Sequence, residues 1–524
     1  MITLRNNTKM NKFLIPGLLF LISISFLSFN LSEQGPHQDE LDFFYAYSVV
    51  YFSLIMDGDF FHPCWNGDGE CDLLSVTGCN MDDHWVTTHG FVKHVLVGTG
   101  IWLHGEKEWE SYAPKPPLCK PHTDPVFGVN VPEKSELGAA RFFSTILGSL
   151  TVVLAFYIGK FLFNRITGLS FALLLLFNSL WFAYSRTIMT ETYIYFFMIL
   201  SFFLLLYSFK ERGKIRYSLL ICSAIIFGIA FDTKAIVFMF FPMFILTIFL
   251  RNSINQKLSR KDFHIKNYFP KSIAISSLYV GILFVSIIVT LPFYWIGPVD
   301  QIIFQKESLD AYNKEMSLHM PWEAESKLHI RFLSTITVSF VPVIDTYYNF
   351  FSSDNIPESV DRANNFSSIP LSILFFTGLG FLIHSIKNKT VTGSELIIIL
   401  WVSSIFLFLS TMMESYSTSR FFIMMFLPLI LVSSYGYWKF FNSISNRKTQ
   451  IFSFSLLIVA HATTTLVYWK EIFYSPFIIW LDPLFIKSQV AVAHVEVLGL
   501  GIIFSLFFII FGLSRIKSLK NTNP

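Results

Sequence analysis

The chain has 524 residues, of which 53% are hydrophobic and 14% charged, and a mean hydropathy of +0.53. That balance is too apolar and too sparsely charged for a soluble globular protein of this length, so the chain reads as an integral membrane protein. A formal charge of +3 is too small to mark a nucleic-acid partner.

A hydrocarbon core about 30 Å thick takes about 20 apolar residues per helical crossing. In chain order that ruler finds 13–31, 139–159, 167–184, 188–209, 217–230, 235–250, 272–292, 369–386, 395–411, 421–438, 451–468 and 497–514. The expected fold class is an all-α polytopic membrane protein with roughly 12 transmembrane helices. No internal repeat or Gly/Ser-rich linker divides it, so 1–524 reads as a single membrane-embedded domain. The short spans 217–230 and 235–250 flank Phe231-Asp232-Thr233-Lys234 and read as two crossings or as one broken helix. Arg5, Lys9 and Lys12 precede the first span as in a secretory signal. Its apolar stretch is long and no small-residue cleavage site follows, which predicts a retained helix.

Basic residues set the orientation. With the N-terminus in the cytoplasm, Lys210 to Arg216, Arg251 to Lys271, Lys387 to Lys389, Arg447-Lys448 and Arg515 to Lys520 all fall inside, as does the C-terminus. Of the 36 acidic residues only Glu211, Asp262 and Glu395 then face the cytoplasm. The working face is therefore extracytoplasmic.

On that face lie two long connections, 32–138 and 293–368, of a length that is uncommon without a function. Within the first, Phe43 to Met56 and Trp85 to His104 interleave apolar and polar residues at roughly helical spacing, which predicts interfacial helices roofing a site. Cys64, Cys71, Cys79 and Cys119 lie in the same loop, while Cys222 lies inside a span. An even set on an oxidising face suggests disulfides. The alternatives are a metal site with His62, His84, His89 and His94, or free thiols; the Cys spacing lacks the close pairs of ordinary zinc knuckles. Asn365-Phe366-Ser367 is an outward-facing glycosylation sequon, unrelated to catalysis.

Charged residues collect at the outer ends of the spans: Asp39 and Glu40, His89 and Lys93, Arg141, Arg186 and Glu191, Asp232 and Lys234, and Arg420. Singly, such cations are interfacial anchors, Asp39 is an N-cap for a helix beginning at Leu41, and Glu191 is a partner for Arg186. Together they suit an anionic lipid headgroup, since ionisable groups at membrane depth mark function.

The order Asp39-Glu40, His89-Gly90-Phe91-Val92-Lys93, Arg141-x-x-Ser144-x-x-x-Gly148, Ser185-Arg186 with Glu191, Thr233-Lys234 and Ser419-Arg420 resembles the GT-C superfamily of membrane glycosyltransferases. Within it the likeness is to the protein O-mannosyltransferase family and to aminoarabinose transferases. The resemblance covers roughly residues 30–240 by motif and the remainder by span pattern. Two departures stand out: Gly90-Phe91 replaces the family's Pro-Pro, and Glu191 stands where an Asp is usual. The resemblance implies a GT-C fold and a polyprenyl or dolichyl phosphate sugar as donor, with mannose first among candidates. A protein, glycan or lipid supplies the acceptor hydroxyl. The lack of a soluble sugar-binding module in a luminal loop points to a prokaryotic plasma membrane.

Such a donor is preactivated, so the chemistry needs a base for the acceptor proton and cations for the departing phosphate. Asp39 is the candidate base. Glu40 and Glu191 are the further candidate catalytic carboxylates, for positioning sugar or acceptor. His89, Lys93, Arg141, Arg186, Lys234 and Arg420 are candidates for the phosphate. Direct displacement predicts inversion, and the cations would make a metal or other cofactor unnecessary. A transporter, or a non-catalytic scaffold of the same fold, is the rival reading; paired discontinuous helices at the midplane would mark the transporter.

Overall fold

The computed structural model describes residues 3–33, 40, 46–62, 65, 90–105, 133–251, 254, 265–295, 299–300, 303, 306–307, 369–412, 419–444 and 446–474. Asp39, His89, Cys64, Cys71, Cys79, Cys119 and the sequon lie outside these residues, as do the span 497–514 and most of the loops 32–138 and 293–368.

The described residues are helical almost throughout. In chain order they form α1 (Thr3–Ser28), α2 (Ala46–Asp57), α3 (Phe91–His104), α4 (Lys134–Leu162), α5 (Arg165–Leu176), α6 (Ser179–Tyr184) and α7 (Thr190–Ser208). Then follow α8 (Gly213–Thr233), α9 (Phe241–Leu250), α10 (Ile265–Thr290), α11 (Ile369–Lys387), α12 (Gly393–Met412), α13 (Ser419–Ser443) and α14 (Arg447–Tyr474). Among them six stretches are long and apolar enough to cross a membrane: Phe13–Glu33, Lys134–Leu162, Thr190–Ser208, Gly213–Thr233, Pro270–Thr290 and Pro370–Lys387.

Two expected spans are interrupted. The stretch 167–184 breaks after Leu176, because Asn178 turns its side-chain oxygen back to accept from the Trp181 amide and so starts the short α6. The break frees the Leu174 carbonyl, which meets the buried His461 ring of α14 at 2.8 Å. The second is 235–250, which begins as a 3-10 segment, Ala235–Phe240, before turning α-helical. Lys234 is extended between α8 and this segment, so 217–230 and 235–250 are separate helical elements.

Helices with little hydrophobic drive to associate in lipid pack through small residues and internal hydrogen bonds. Gly159 of α4 and Gly168 of α5 touch backbone to backbone, as do Gly378 of α11 and Gly436 of α13. Ser201 of α7, Ser223 of α8 and Tyr279 of α10 bond one another inside the bundle. At the opposite end from the charged motifs, Glu395 holds the start of α12 by accepting from the Thr392 amide, and it also meets Tyr435 and Lys439 of α13. Phe13, Leu14, Leu18, Leu21 and Ile22 of α1 stay exposed, as suits a lipid-facing helix.

α2 and α3 pack on one another and α3 packs on α4. The sequence predicts half-buried interfacial helices here. In α2, however, Val49, Tyr51, Phe52 and Leu54 are buried, so it is enclosed on more than one face. α3 keeps Lys93, His94, Val97 and Ile101 inside and Trp102 and Leu103 outside. The two helices cover the N-terminal ends of α4 and α7 through Val49, Val97, Ala140, Ile188 and Tyr193.

Candidate functional site

The motif Arg141-x-x-Ser144-x-x-x-Gly148 places its residues at i, i+3 and i+7, along one face of α4. Each meets a different partner on that face. Arg141 grips Glu40 with both arms of its guanidinium, Nε to Oε1 at 2.7 Å and Nη2 to Oε2 at 2.6 Å. Both side chains are fully buried. Ser144 donates to the Tyr193 hydroxyl of α7 at 2.9 Å. Gly148 leaves room for Ser185, whose Cβ would stand 2.7 Å from a Cβ added there.

Glu40 is held a third way, by the Ile188 amide at 3.0 Å. Arg141 also donates to the Leu31 carbonyl at 3.2 Å. This pair therefore ties the segment after α1 to α4 and to the connection between α6 and α7. A bidentate pair satisfied on every side is the arrangement in which a buried ion pair offsets its desolvation cost.

Arg186 takes the neighbouring position. Its Nη1 donates to the Leu27 and Phe29 carbonyls at 2.7 Å each, and its Nη2 to Asn30 at 3.2 Å. These are carbonyls at the C-terminal end of α1, where a helix leaves acceptors unpaired and carries partial negative charge. The Phe182 ring lies under the guanidinium, 4.9 Å away. Burial, and after it the charge of Arg141, lowers the Arg186 pKa to about 9. Arg141 and Arg186, both expected on the phosphate, are thus engaged with Glu40 and with α1.

The other expected groups cluster where α3, α7 and α8 meet. Glu191, in the first turn of α7, pairs with Lys234 at 3.6 Å, and the carboxylate is 1% exposed. Glu191 thus pairs with Lys234, where Arg186 was the expected partner, because Arg186 turns back to α1. Gly90 sets this junction. Its amide donates to the Thr233 carbonyl at 3.1 Å, and an added Cβ would fall 1.3 Å from the Asp232 carbonyl oxygen. Proline there would lack the donor and fill the same space. The departure Gly90-Phe91 is thus a requirement of backbone contact between α3 and α8.

That contact brings Lys93, one turn into α3 and fully buried, to the same junction. His94 meets Ser48 of α2 at 2.9 Å and lies beside the Tyr51 ring, which stacks on Trp65. Trp65 in turn packs on Phe91 and donates to the Asp59 carbonyl. Asp232 accepts from Thr290 of α10. Tyr193 and Thr290 had no site role in the sequence, since a single hydroxyl on an apolar helix carries no spacing signal, and His94 stood there only as a candidate metal ligand. Arg420 lies in the first turn of α13, and its side chain is outside the described set. Cys222 is an exposed free thiol. Among the described residues no group of three or more His, Cys, Asp or Glu side chains is arranged to hold a metal ion.

This helical scaffold, with ionic pairs gathered under two short capping helices, is similar in fold to a solved membrane protein. The apo oligosaccharyltransferase of Archaeoglobus fulgidus is similar over 90% of this chain, with a TM-score of 0.51 at 12% identity. This chain spans only 57% of that protein's length. Residues 90–305 match the family described as dolichyl-phosphate-mannose-protein mannosyltransferase, so the resemblance read from the ordered motifs holds. ArnT from Cupriavidus metallidurans, solved bound to undecaprenyl phosphate, is 12% identical over 93% of this chain and 75% of its own, with a TM-score of 0.46. The Saccharomyces cerevisiae Pmt1-Pmt2 complex, solved with its sugar donor, is 16% identical over 66% of this chain and 38% of that one, with a TM-score of 0.34. No curated protein sequence matches the chain.

Proposed function

We propose that this chain is a glycosyltransferase that moves a sugar, mannose first among candidates, from a polyprenyl phosphate carrier to an acceptor hydroxyl. The observation that carries the reading is the junction of α3, α7 and α8, where Glu191 pairs with Lys234, Gly90 at the root of α3 bonds to the Thr233 carbonyl, and Lys93 lies buried in the first turn of α3. The family match over residues 90–305 spans the same helices.

In this reading roughly 12 spans carry the chain across a prokaryotic plasma membrane, both termini are cytoplasmic, and the two long loops face outward. Asp39 takes the proton of the acceptor hydroxyl. The hydroxyl oxygen bonds to the anomeric carbon as the bond from that carbon to the phosphate oxygen breaks, with inversion. The phosphate leaves with an added negative charge, which Lys93, Lys234, His89 and Arg420 stabilise. Arg141 and Arg186 act one step back. Arg141 fixes Glu40, directly after the base in sequence, and Arg186 fixes the end of α1 from which that segment departs.

The test is transfer from polyprenyl-phosphate mannose to membrane acceptors by wild type and Asp39→Asn at matched protein level. Transfer by wild type and its loss in the variant is the expected result. Retention of anomeric configuration in the product refutes direct displacement. Inactivity of the wild type with mannose, glucose and aminopentose donors alike refutes the activity itself and favours a transporter or scaffold.

A further inference from the structure

Asp232 is the acidic residue of this region that neither the motifs nor the mechanism above uses. It lies in the last turn of α8 and is 4% exposed. Its Oδ2 accepts a hydrogen bond from Thr290, at the outer end of α10. Among the described residues its Oδ1 has no hydrogen-bond partner, although it is sealed from solvent. A carboxylate oxygen buried in that way is costly unless something donates to it.

The surroundings narrow what that donor is. Asp232 is two residues before Lys234, the partner of Glu191, and its own carbonyl abuts Gly90 at the root of α3. It also stands near Tyr294, whose hydroxyl pKa is pushed up to about 12 by burial and then by the Asp232 charge. A carboxylate accepts hydrogen bonds and repels phosphate, so the lipid phosphate itself is excluded. The group bonded to that phosphate in the donor is a sugar, and sugars present donors within a few ångströms of it.

We infer that Asp232 is a specificity-determining residue that accepts a hydrogen bond from a hydroxyl or amine of the donor sugar, while Thr290 holds its other oxygen. The inference rests on the proposed transfer reaction and adds to it the residue that reads the sugar. Carboxylates in this role strengthen discrimination, because a buried acceptor left unpaired rejects an analogue that lacks the donor group.

The experiment uses the full chain in proteoliposomes and a series of polyprenyl-phosphate sugars, each missing one hydroxyl, with an aminopentose donor beside them. The wild type is expected to lose about tenfold to hundredfold in kcat/KM for one particular deoxy donor. In Asp232→Ala and Asp232→Leu that donor and its parent are expected to become equivalent, while binding of polyprenyl phosphate without sugar is unchanged. Loss of preference for the aminopentose over its counterpart without the amine identifies an amine as the group read; loss of selection against a deoxy hexose identifies a hydroxyl. A purely structural tie between α8 and α10 would instead lower folded yield and leave the donor preference intact. Folded variants that keep wild-type preference overturn the inference, and so does a wild type indifferent to every deletion, a readout that needs no variant to fold. A wild type that transfers nothing overturns the reaction first and this assignment with it.

Discussion

Removing one member of the Glu40–Arg141 pair is the sharpest structural perturbation available. Both side chains are fully buried, the contacts are 2.7 and 2.6 Å, and further hydrogen bonds go to the Ile188 amide and the Leu31 carbonyl. Glu40→Leu takes the bidentate carboxylate away from the Arg141 charge, and Arg141→Met takes the guanidinium away from the Glu40 carboxylate. Breaking a buried pair from either side costs about 3–5 kcal/mol. Replacing both partners removes the charges together, so the double variant should lose much less than the sum of the singles. The expected coupling is about 2–3 kcal/mol, at the upper end for residues in contact. The assay is equilibrium unfolding of the purified protein by SDS in mixed micelles, followed by Trp fluorescence, for wild type, both singles and the double. Singles within about 0.5 kcal/mol of wild type together with an additive double would refute the pair.

Gly90→Ala places a methyl against the Asp232 carbonyl, and a loss of about 1–3 kcal/mol with reduced transfer is expected, read in the same unfolding assay. Glu191→Gln removes the counter-charge of Lys234 across 3.6 Å, and a change in the KM for the lipid donor larger than the change in stability is the expected result of steady-state kinetics. Arg186→Lys keeps a cation but cannot span the Leu27, Phe29 and Asn30 carbonyls with a planar fork. A cysteine pair joining α1 to α4 should therefore crosslink more slowly in that variant than in wild type.

Much of this architecture was legible because lipid imposes simple rules on sequence. Among the described residues, runs of apolar residues became helices. Breaks within runs were less visible. Asn178 interrupts 167–184 through one side-chain bond to a backbone amide, and hydropathy carries no trace of that. Within the site, Arg141, Glu191 and Lys234 were legible as charges out of place in lipid, but not their partners. Glu40 and Arg141 are separated by 101 positions, and only the fold reveals that each is the other's counter-ion. Gly90 was legible only as a departure from a family pattern. Its reason, a carbonyl 1.3 Å from where a side chain would begin, belongs to α8.

The anchoring of α1 also sets a timetable for biogenesis. This helix leaves the ribosome well before its anchor, since the guanidinium that closes its end lies 159 residues downstream of Leu27. At synthesis rates of ~5–20 residues per second, the lipid-exposed first helix waits roughly ten to thirty seconds for Arg186. During that interval its C-terminal carbonyls depend on water or on an insertion factor. Assembly of this end of the bundle is therefore a late event in membrane integration, and a slowed arrival of α6 would prolong the time in which α1 is open to mispairing or proteolysis.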